Sequence, residues 1–377
     1  MAKKAYIGID GVARAVKKGY IGIDDVARRI KKAYIGIGGV ARPCWAFEGK
    51  LAYYGKVTDL SEARIQLAAT TVGSYALFGG GTASDYSSVV DAYNTSLTLS
   101  KPSVLNQARR ELAATTIGDY ALFGGGRISV NNTLVHSATV DAYNRSLTRS
   151  QPTALSEARG LLAATSVGEY ALFGGGVSTA VDTYDKSLTR STTTALSNLL
   201  YGIAATTVGE YALFGGGGLN TDASSAIVFA YNKSLTQTRA AELSASRQYL
   251  AATTVGSYAL FGGGVKSDNY NTLYSIVDAY DSSLTKTTPT ELSQTRYHLA
   301  STTVGDYALF GGGLVYSSPG ASTAVDAYDA HLVHTIANSL NLSRGKLAAT
   351  TVGDYALFGG GSNDSERHAT VDAYTVI

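Results

Sequence analysis

The chain has one cysteine, Cys44, so no intrachain disulfide can form and the fold must be held by burial and hydrogen bonding. Charged residues are scarce, at 16% against 45% apolar, which excludes a disordered chain. No apolar run approaches the ~20 residues needed to cross a membrane as a helix. Met1-Ala2-Lys3-Lys4 leads into a periodic pattern rather than an apolar stretch, so no secretory leader is expected. What is abundant is glycine, with 42 residues, and tyrosine, which outnumbers phenylalanine 26 to 9; that mixture favours strands and turns over long helices. The net charge of +2 hides an asymmetry. Residues 1–44 carry ten Lys or Arg and three Asp or Glu, a balance of +7, whereas the remainder carries 21 basic and 26 acidic residues, a balance of −5. The lysines of the basic segment recur with its repeat, as expected of a solvated strand edge that resists unwanted pairing, and no nucleic-acid partner is expected.

Internal repetition decides the fold. The string YALFGGG occurs seven times, beginning at Tyr75, Tyr120, Tyr170, Tyr211, Tyr258, Tyr307 and Tyr355, at intervals of 41 to 50 residues. Each copy follows a segment like LAATTVGD and precedes one like VDAYN. Each unit reads as four strands. LAATTV is strand a, with small side chains suited to the crowded axis of a ring. YALF is strand b, apolar on both faces as neighbours on both sides require. VDAY is strand c, and a stretch such as TALSEAR is expected to be strand d. Period, strand count and glycine placement predict an all-β, seven-bladed β-propeller over residues 57–377. The final repeat stops three residues after Tyr374, whereas residues 57–64 match the TALSEAR pattern. Those residues are therefore expected to close the ring against residues near Val371.

Residues 1–44 hold a second repeat of 14 residues: KKAYIGIDGVARAV, KKGYIGIDDVARRI and KKAYIGIGGVARPC. Asp10-Gly11, Asp24-Asp25 and Gly38-Gly39 separate β-prone runs, which predicts three short hairpins ended by Pro43. One hairpin is marginal in water, so this arm suits attachment to a partner surface. Residues 45–56 read as a linker.

The glycines after strand b and the strand-c tyrosines Tyr93, Tyr143, Tyr184, Tyr231, Tyr280, Tyr328 and Tyr374 resemble the kelch family. The Trp late in a kelch blade is missing, since the one Trp, Trp45, precedes the propeller. The arm pattern KK-x-YIG-x-x-x-VAR, joined to YALFGGG and VDAYN repeats, resembles virion structural or tail-associated proteins of phages and prophages of Gram-positive bacteria. The resemblance implies a virion protein present in several copies. Residues 1–44 would join it to other virion proteins, and the propeller would bind a host-surface glycan or protein. The alternatives are a glycan-active enzyme on the same scaffold and an intracellular protein-binding module of kelch type.

No catalytic site, metal or cofactor is expected. Kelch-type oxidases hold copper with Tyr, His and a Cys-modified Tyr, whereas Cys44 lies in the arm. The FGGG segments lack the GxxxxGK[ST] pattern of a phosphate loop. Two other sets of residues stand out. The Arg before strand a (Arg64, Arg109, Arg159, Arg247, Arg296 and Arg344) recurs with an Asp opening strand c (Asp91, Asp141, Asp182, Asp278, Asp326 and Asp372). Blade four has Leu200 and Phe229 at those two positions, as contacting partners would change together, which predicts an ion pair in the other six blades. The segment between strands b and c varies most, holding 8, 13, 4, 10, 12, 11 and 9 residues along the seven repeats. Loops on a rigid frame carry function. These loops nominate Tyr86, Arg127, Asn131, Asn132, His136, Lys266, Asn269, Tyr270, Tyr274, Tyr316 and Arg367 as a binding face for sugars or peptides.

Overall fold

A computed structural model describes residues 49–377 apart from 220–222, 267–271 and 319, together with the backbone of six strands between residues 6 and 46. The chain divides into two compact units, Met1–Lys50 and Leu51–Val376, with Ile377 grouped with the first.

In the first unit, β1 (Tyr6–Ile9) pairs with β2 (Val12–Ala15), β3 (Gly19–Ile23) with β4 (Val26–Ile30) and β5 (Lys32–Ile37) with β6 (Val40–Ala46), each antiparallel. The innermost pairs, Ile9↔Val12, Ile23↔Val26 and Ile37↔Val40, leave two residues between each pair of strands, the spacing of the tightest hairpins. Pro43 does not end the series: β6 runs through it to Ala46, with a register shift opposite Ala33 and Tyr34. A two-stranded ribbon has only edges, and a proline at an irregular rung gives up no ladder bond that the strand needs.

The second unit is a seven-bladed propeller of seven four-stranded antiparallel sheets, and no helix occurs among the described residues. The first blade is β8 (Ala68–Val72), β9 (Tyr75–Gly79), β10 (Val90–Asn94) and β11 (Leu99–Ser100), in that order from axis to rim. Each inner strand touches the inner strands of both neighbouring blades, and the last contacts the first, closing the ring. The core lies between blades. Ala68, Val72, Leu77, Val90 and Ala92 of blade one pack against Leu105, Leu112, Ala121, Phe123 and Tyr143 of blade two, and the same cluster recurs around the ring.

The repeated residues have specific work. A Cβ on Gly79 would sit 2.8 Å from the Phe123 ring of the next blade, and Gly80 has φ +69, so neither position takes a side chain without displacement or strain. Phe78 meets Tyr93 edge-on within the blade, with centroids 6.0 Å apart. The Tyr93 hydroxyl donates to the Thr58 carbonyl at 2.8 Å, which requires Tyr rather than Phe there, and every blade repeats this bond with its own tyrosine. Strands c and d are joined by a turn in which Asn94 Oδ1 accepts from Ser96 and Thr98 N–H at 3.0 and 2.9 Å.

Two boundaries differ from the sequence reading. Strand d is the short segment directly after that turn, such as Leu99–Ser100 or Arg149–Ser150, and the TALSEAR stretch is an irregular crossover between blades. Ring closure moves accordingly. The outer strand of the last sheet is β7 (Leu51–Lys56), which pairs with the strand Val371–Val376; residues 57–64 follow it as the crossover. In that crossover Val57 and Leu60 N–H donate to Val371 and Ala369 carbonyls without forming a strand. The segment assigned as linker thus contains a propeller strand.

Around the axis, threonines of the inner strands form a belt. Thr70 Oγ1 meets Thr116 Oγ1 at 2.8 Å across the first junction, and equivalent contacts span Thr165–Thr207, Thr206–Thr254, Thr253–Thr303, Thr302–Thr351 and Thr350–Thr71. Ser166 occupies the partner position at the remaining junction, beside Thr115.

Candidate functional site at the mouth of the channel

The crossovers build the end of the propeller where strands b finish and inner strands begin. Six crossovers carry an arginine that joins two blades. The Arg159 N–H donates to Ser137 O in blade two, its carbonyl accepts from Gly126 N–H, and its guanidinium reaches Asp182 Oδ2 at 2.6 Å and Phe173 O at 3.1 Å in blade three. The pairs Arg64–Asp91, Arg109–Asp141 and Arg247–Asp278 lie at 2.6, 2.6 and 2.8 Å, and Arg296–Asp326 and Arg344–Asp372 are paired likewise. All twelve side chains are inaccessible to solvent. Burial pushes the Arg109 guanidinium down to about 10 against the opposing pull of Asp141. The aspartates collect a second partner from the rim strand in most blades: Arg149, Arg190, Lys286, His334 and Tyr53 reach Asp141, Asp182, Asp278, Asp326 and Asp372. Blade four replaces the pair with Leu200 and Phe229 in one apolar cluster, and Arg239 lies 5.4 Å from the Phe229 ring centroid.

Two residues beyond each arginine position stands a collar. Gln66, Glu111, Leu161, Gly202, Tyr249, His298 and Lys346 all have positive φ, between 51 and 63. Each N–H donates to the carbonyl of the collar residue in the preceding blade, at 2.8 to 3.0 Å, and Gln66 closes the circle on Lys346. Seven equivalent positions therefore carry seven different residues, between an almost constant Arg and an almost constant Leu or Ile. Left-handed backbone costs a non-glycine residue on the order of 1–3 kcal/mol, and six of the seven bear that cost.

The collar and the leucines beneath it line a cavity of about 290 Å³ at the axis. One side is aromatic. Tyr249 and His298 stack with centroids 4.1 Å apart and planes 30° apart, and Tyr201, Tyr297 and Tyr316 extend the arc outward at 5.2 to 6.5 Å. The other side is a polar network. Gln66 Nε2 donates to Glu111 Oε1 at 2.6 Å, Glu111 Oε2 pairs with Arg127 at 3.0 Å, and Arg110 lies 5.0 Å over the Tyr86 ring. Glu111 is the one carboxylate among the lining residues; its Oε1 accepts from Gln66, and its Oε2 is ion-paired with Arg127 but accepts no hydrogen bond. Desolvation, aided by the Lys346 ammonium, pushes the His298 imidazole down to about 3, so it is a neutral ring at ordinary pH. Among the described residues Lys346 has no ion-pair partner, and no group of three or more His, Cys, Asp or Glu assembles that could hold a metal ion.

Solved propellers share this fold. A protein named YjhT superposes with a TM-score of 0.59 at 14% identity, covering 75% of this chain and 99% of its own. A fungal alcohol oxidase solved in complex with copper superposes with a TM-score of 0.65 at 13% identity, covering 87% of this chain and 76% of its own. No family model and no curated protein matches the chain. At these identities the likeness is one of fold.

The loops nominated from the sequence lie at the same end of the propeller as the collar. Isolated bridges tie them to it, such as Ile65↔Thr82, Arg110↔Arg127 and Tyr297↔Leu314. Arg127 reaches Glu111, Tyr86 receives Arg110, and Tyr316 lies tilted against Tyr297 with centroids 6.4 Å apart, so these three extend the mouth. Arg127 also opens a hairpin, Arg127–Val130 with Thr133–His136, whose turn residues Asn131 and Asn132 have φ 50 and 61. Asparagine tolerates that backbone, which accounts for both residues without a ligand. In His136, Nδ1 is buried without a hydrogen-bond partner and desolvation lowers its pKa. The main chain of Tyr274 links Gly264 to Arg296, Lys266 N–H donates to Thr272 O, and Arg367 is exposed on the bridge to Ser362. Asn269 and Tyr270 lie outside the described residues. The collar itself escaped the sequence reading, although its signal was there: one column that differs in all seven repeats inside a frame that scarcely varies.

Proposed function

We propose that this chain is a binding protein, not an enzyme, and that its propeller recognises a host-surface glycan through the end that carries the collar. One observation carries the reading: closely similar blades converge on a cavity whose seven collar positions all differ, although the backbone there is left-handed. Drift alone would favour glycine or asparagine at left-handed positions, whereas this column keeps Tyr, His, Glu, Gln and Lys. An aromatic arc facing a hydrogen-bonding network suits sugars, whose rings have an apolar face and a polar edge. Glycoside hydrolysis needs a pair of carboxylates, and Glu111 is the one carboxylate among the residues lining the cavity. Following the resemblance of the arm and repeats, the wider setting is a virion of a phage, with residues 1–44 joining other virion proteins and the blades of kelch type. Binding of labelled full-length chain to host cells tests the reading. Adsorption should fall after periodate oxidation of the cells and persist after protease treatment. Protease-sensitive, periodate-resistant adsorption would assign a protein ligand instead. Mass spectrometry of purified particles tests the setting.

A further inference from the structure

We infer that the collar cavity is a subsite for one carboxylate-bearing sugar ring, held against the Tyr249–His298 wall and charge-paired with Lys346. The inference rests on the glycan reading and narrows it to a residue class. Size comes first: about 290 Å³ is at the small end of the ~300–1,000 Å³ typical of small-molecule sites, enough for one ring and not for a peptide or a chain of sugars. Main-chain chemistry comes second. Every collar N–H already donates to the neighbouring collar carbonyl, so the collar backbone has no free donor to cradle an anion or a hydroxyl, and recognition at the collar falls to side chains.

Those side chains divide the work. The Tyr249–His298 pair forms one apolar wall of the cavity, and His298 adds no charge to it because its imidazole is neutral. Gln66 and Glu111 hold each other rigidly and offer hydroxyl-binding edges rather than a free charge. Arg127 offsets Glu111, and among the described residues Arg110 and Lys346 have no ion-pair partner, on a propeller whose own balance is negative. Arg110 lies over the Tyr86 ring and donates to Gln66 Oε1 at 3.5 Å, whereas Lys346 is the cation among the lining residues. An ammonium beside an aromatic platform in a confined site selects a ring that carries its own carboxylate.

The test is titration calorimetry and saturation-transfer NMR on the full-length chain. The probes are D-glucuronate, D-galacturonate and N-acetylmuramate, with D-glucose and acetate as controls. At least one acid should bind about tenfold more tightly than glucose or acetate. Lys346→Gln should weaken that acid by about fivefold or more, Lys346→Arg should largely retain it, and Tyr249→Ala should abolish saturable binding, with thermal melting reported for each variant. If no acid exceeds both controls, the inference is wrong. If glucose binds as tightly and Lys346→Gln changes nothing, the carboxylate assignment is wrong. Periodate-sensitive adsorption to cells would then still stand as evidence for a glycan ligand elsewhere on the face, whereas its loss as well would remove both readings.

Discussion

Breaking the arginine clasp of blade three should cost more when the aspartate is removed than when the arginine is, and least when both are replaced. Arg159→Ala leaves Asp182 with Ser156 N–H at 2.9 Å, Ser156 Oγ at 3.1 Å and Arg190 at 3.0 Å, so the carboxylate keeps much of its compensation. Asp182→Ala leaves a fully buried guanidinium with one carbonyl partner, Phe173 O, because Nε and Nη1 have none. Severing a buried pair costs about 3–5 kcal/mol, with the arginine variant expected near the lower bound and the aspartate variant near the upper. The molecule supplies its own control. Arg159→Leu with Asp182→Phe copies the Leu200–Phe229 arrangement of blade four, and an apolar replacement of matched volume is commonly neutral. The double variant is expected within about 1 kcal/mol of the parent. Guanidinium unfolding of all four proteins, read as midpoint shifts at constant slope, measures this. Additive losses in the double variant, or single losses below about 1 kcal/mol, would show that the clasps contribute no more than surface ion pairs.

Three further outcomes follow from the geometry. The His298 imidazole titrates near 6.5 in the unfolded chain and near 3 when folded, so its contribution is complete above pH 6.5 and is lost as pH falls towards 3. Between pH 7.5 and 5 the parent should lose about 1–2 kcal/mol more than His298→Gln, measured as the difference in denaturant midpoints; equal losses would place His298 in a solvated setting. Deleting residues 1–48 should leave the propeller's melting temperature unchanged, while deleting 1–56 removes β7 and the Tyr53–Asp372 bond, lowering it and exposing an edge that aggregates. Ser166→Thr should complete the axial belt with a contact to Thr115 and raise stability by about 0.5–1 kcal/mol, a gain that equilibrium unfolding can resolve.

The blades were legible because their strands b and c carry long, apolar, repeated words. The rim strands were not. Leu99–Ser100 and Arg149–Ser150 are two-residue pairings with no apolar pattern, while TALSEAR imitates a strand because Leu155 and Arg159 both point inward. Those side chains are buried by the next blade rather than by a ladder. Misplacing strand d in turn displaced ring closure from 51–56 to 57–64. The ion pairs could be read because blade four changed both partners together. The collar was hidden for the opposite reason: residues such as Leu161 and His298 give no hint of left-handed backbone, since a ring of neighbours imposes that conformation on them.

The route of β7 gives the propeller a mechanical polarity. Leu51 opposes Val376 and Lys56 opposes Asp372, so the chain enters at the end remote from the collar and runs towards it along the rim. A tether pulling on Leu51 while a ligand holds the collar would therefore draw β7 lengthwise past its neighbour. Its hydrogen bonds lie across that direction, so the five rungs of the closing pair would be loaded together rather than unzipped in turn. Tension applied between Leu51 and the collar end would thus load the seam that closes the ring in shear.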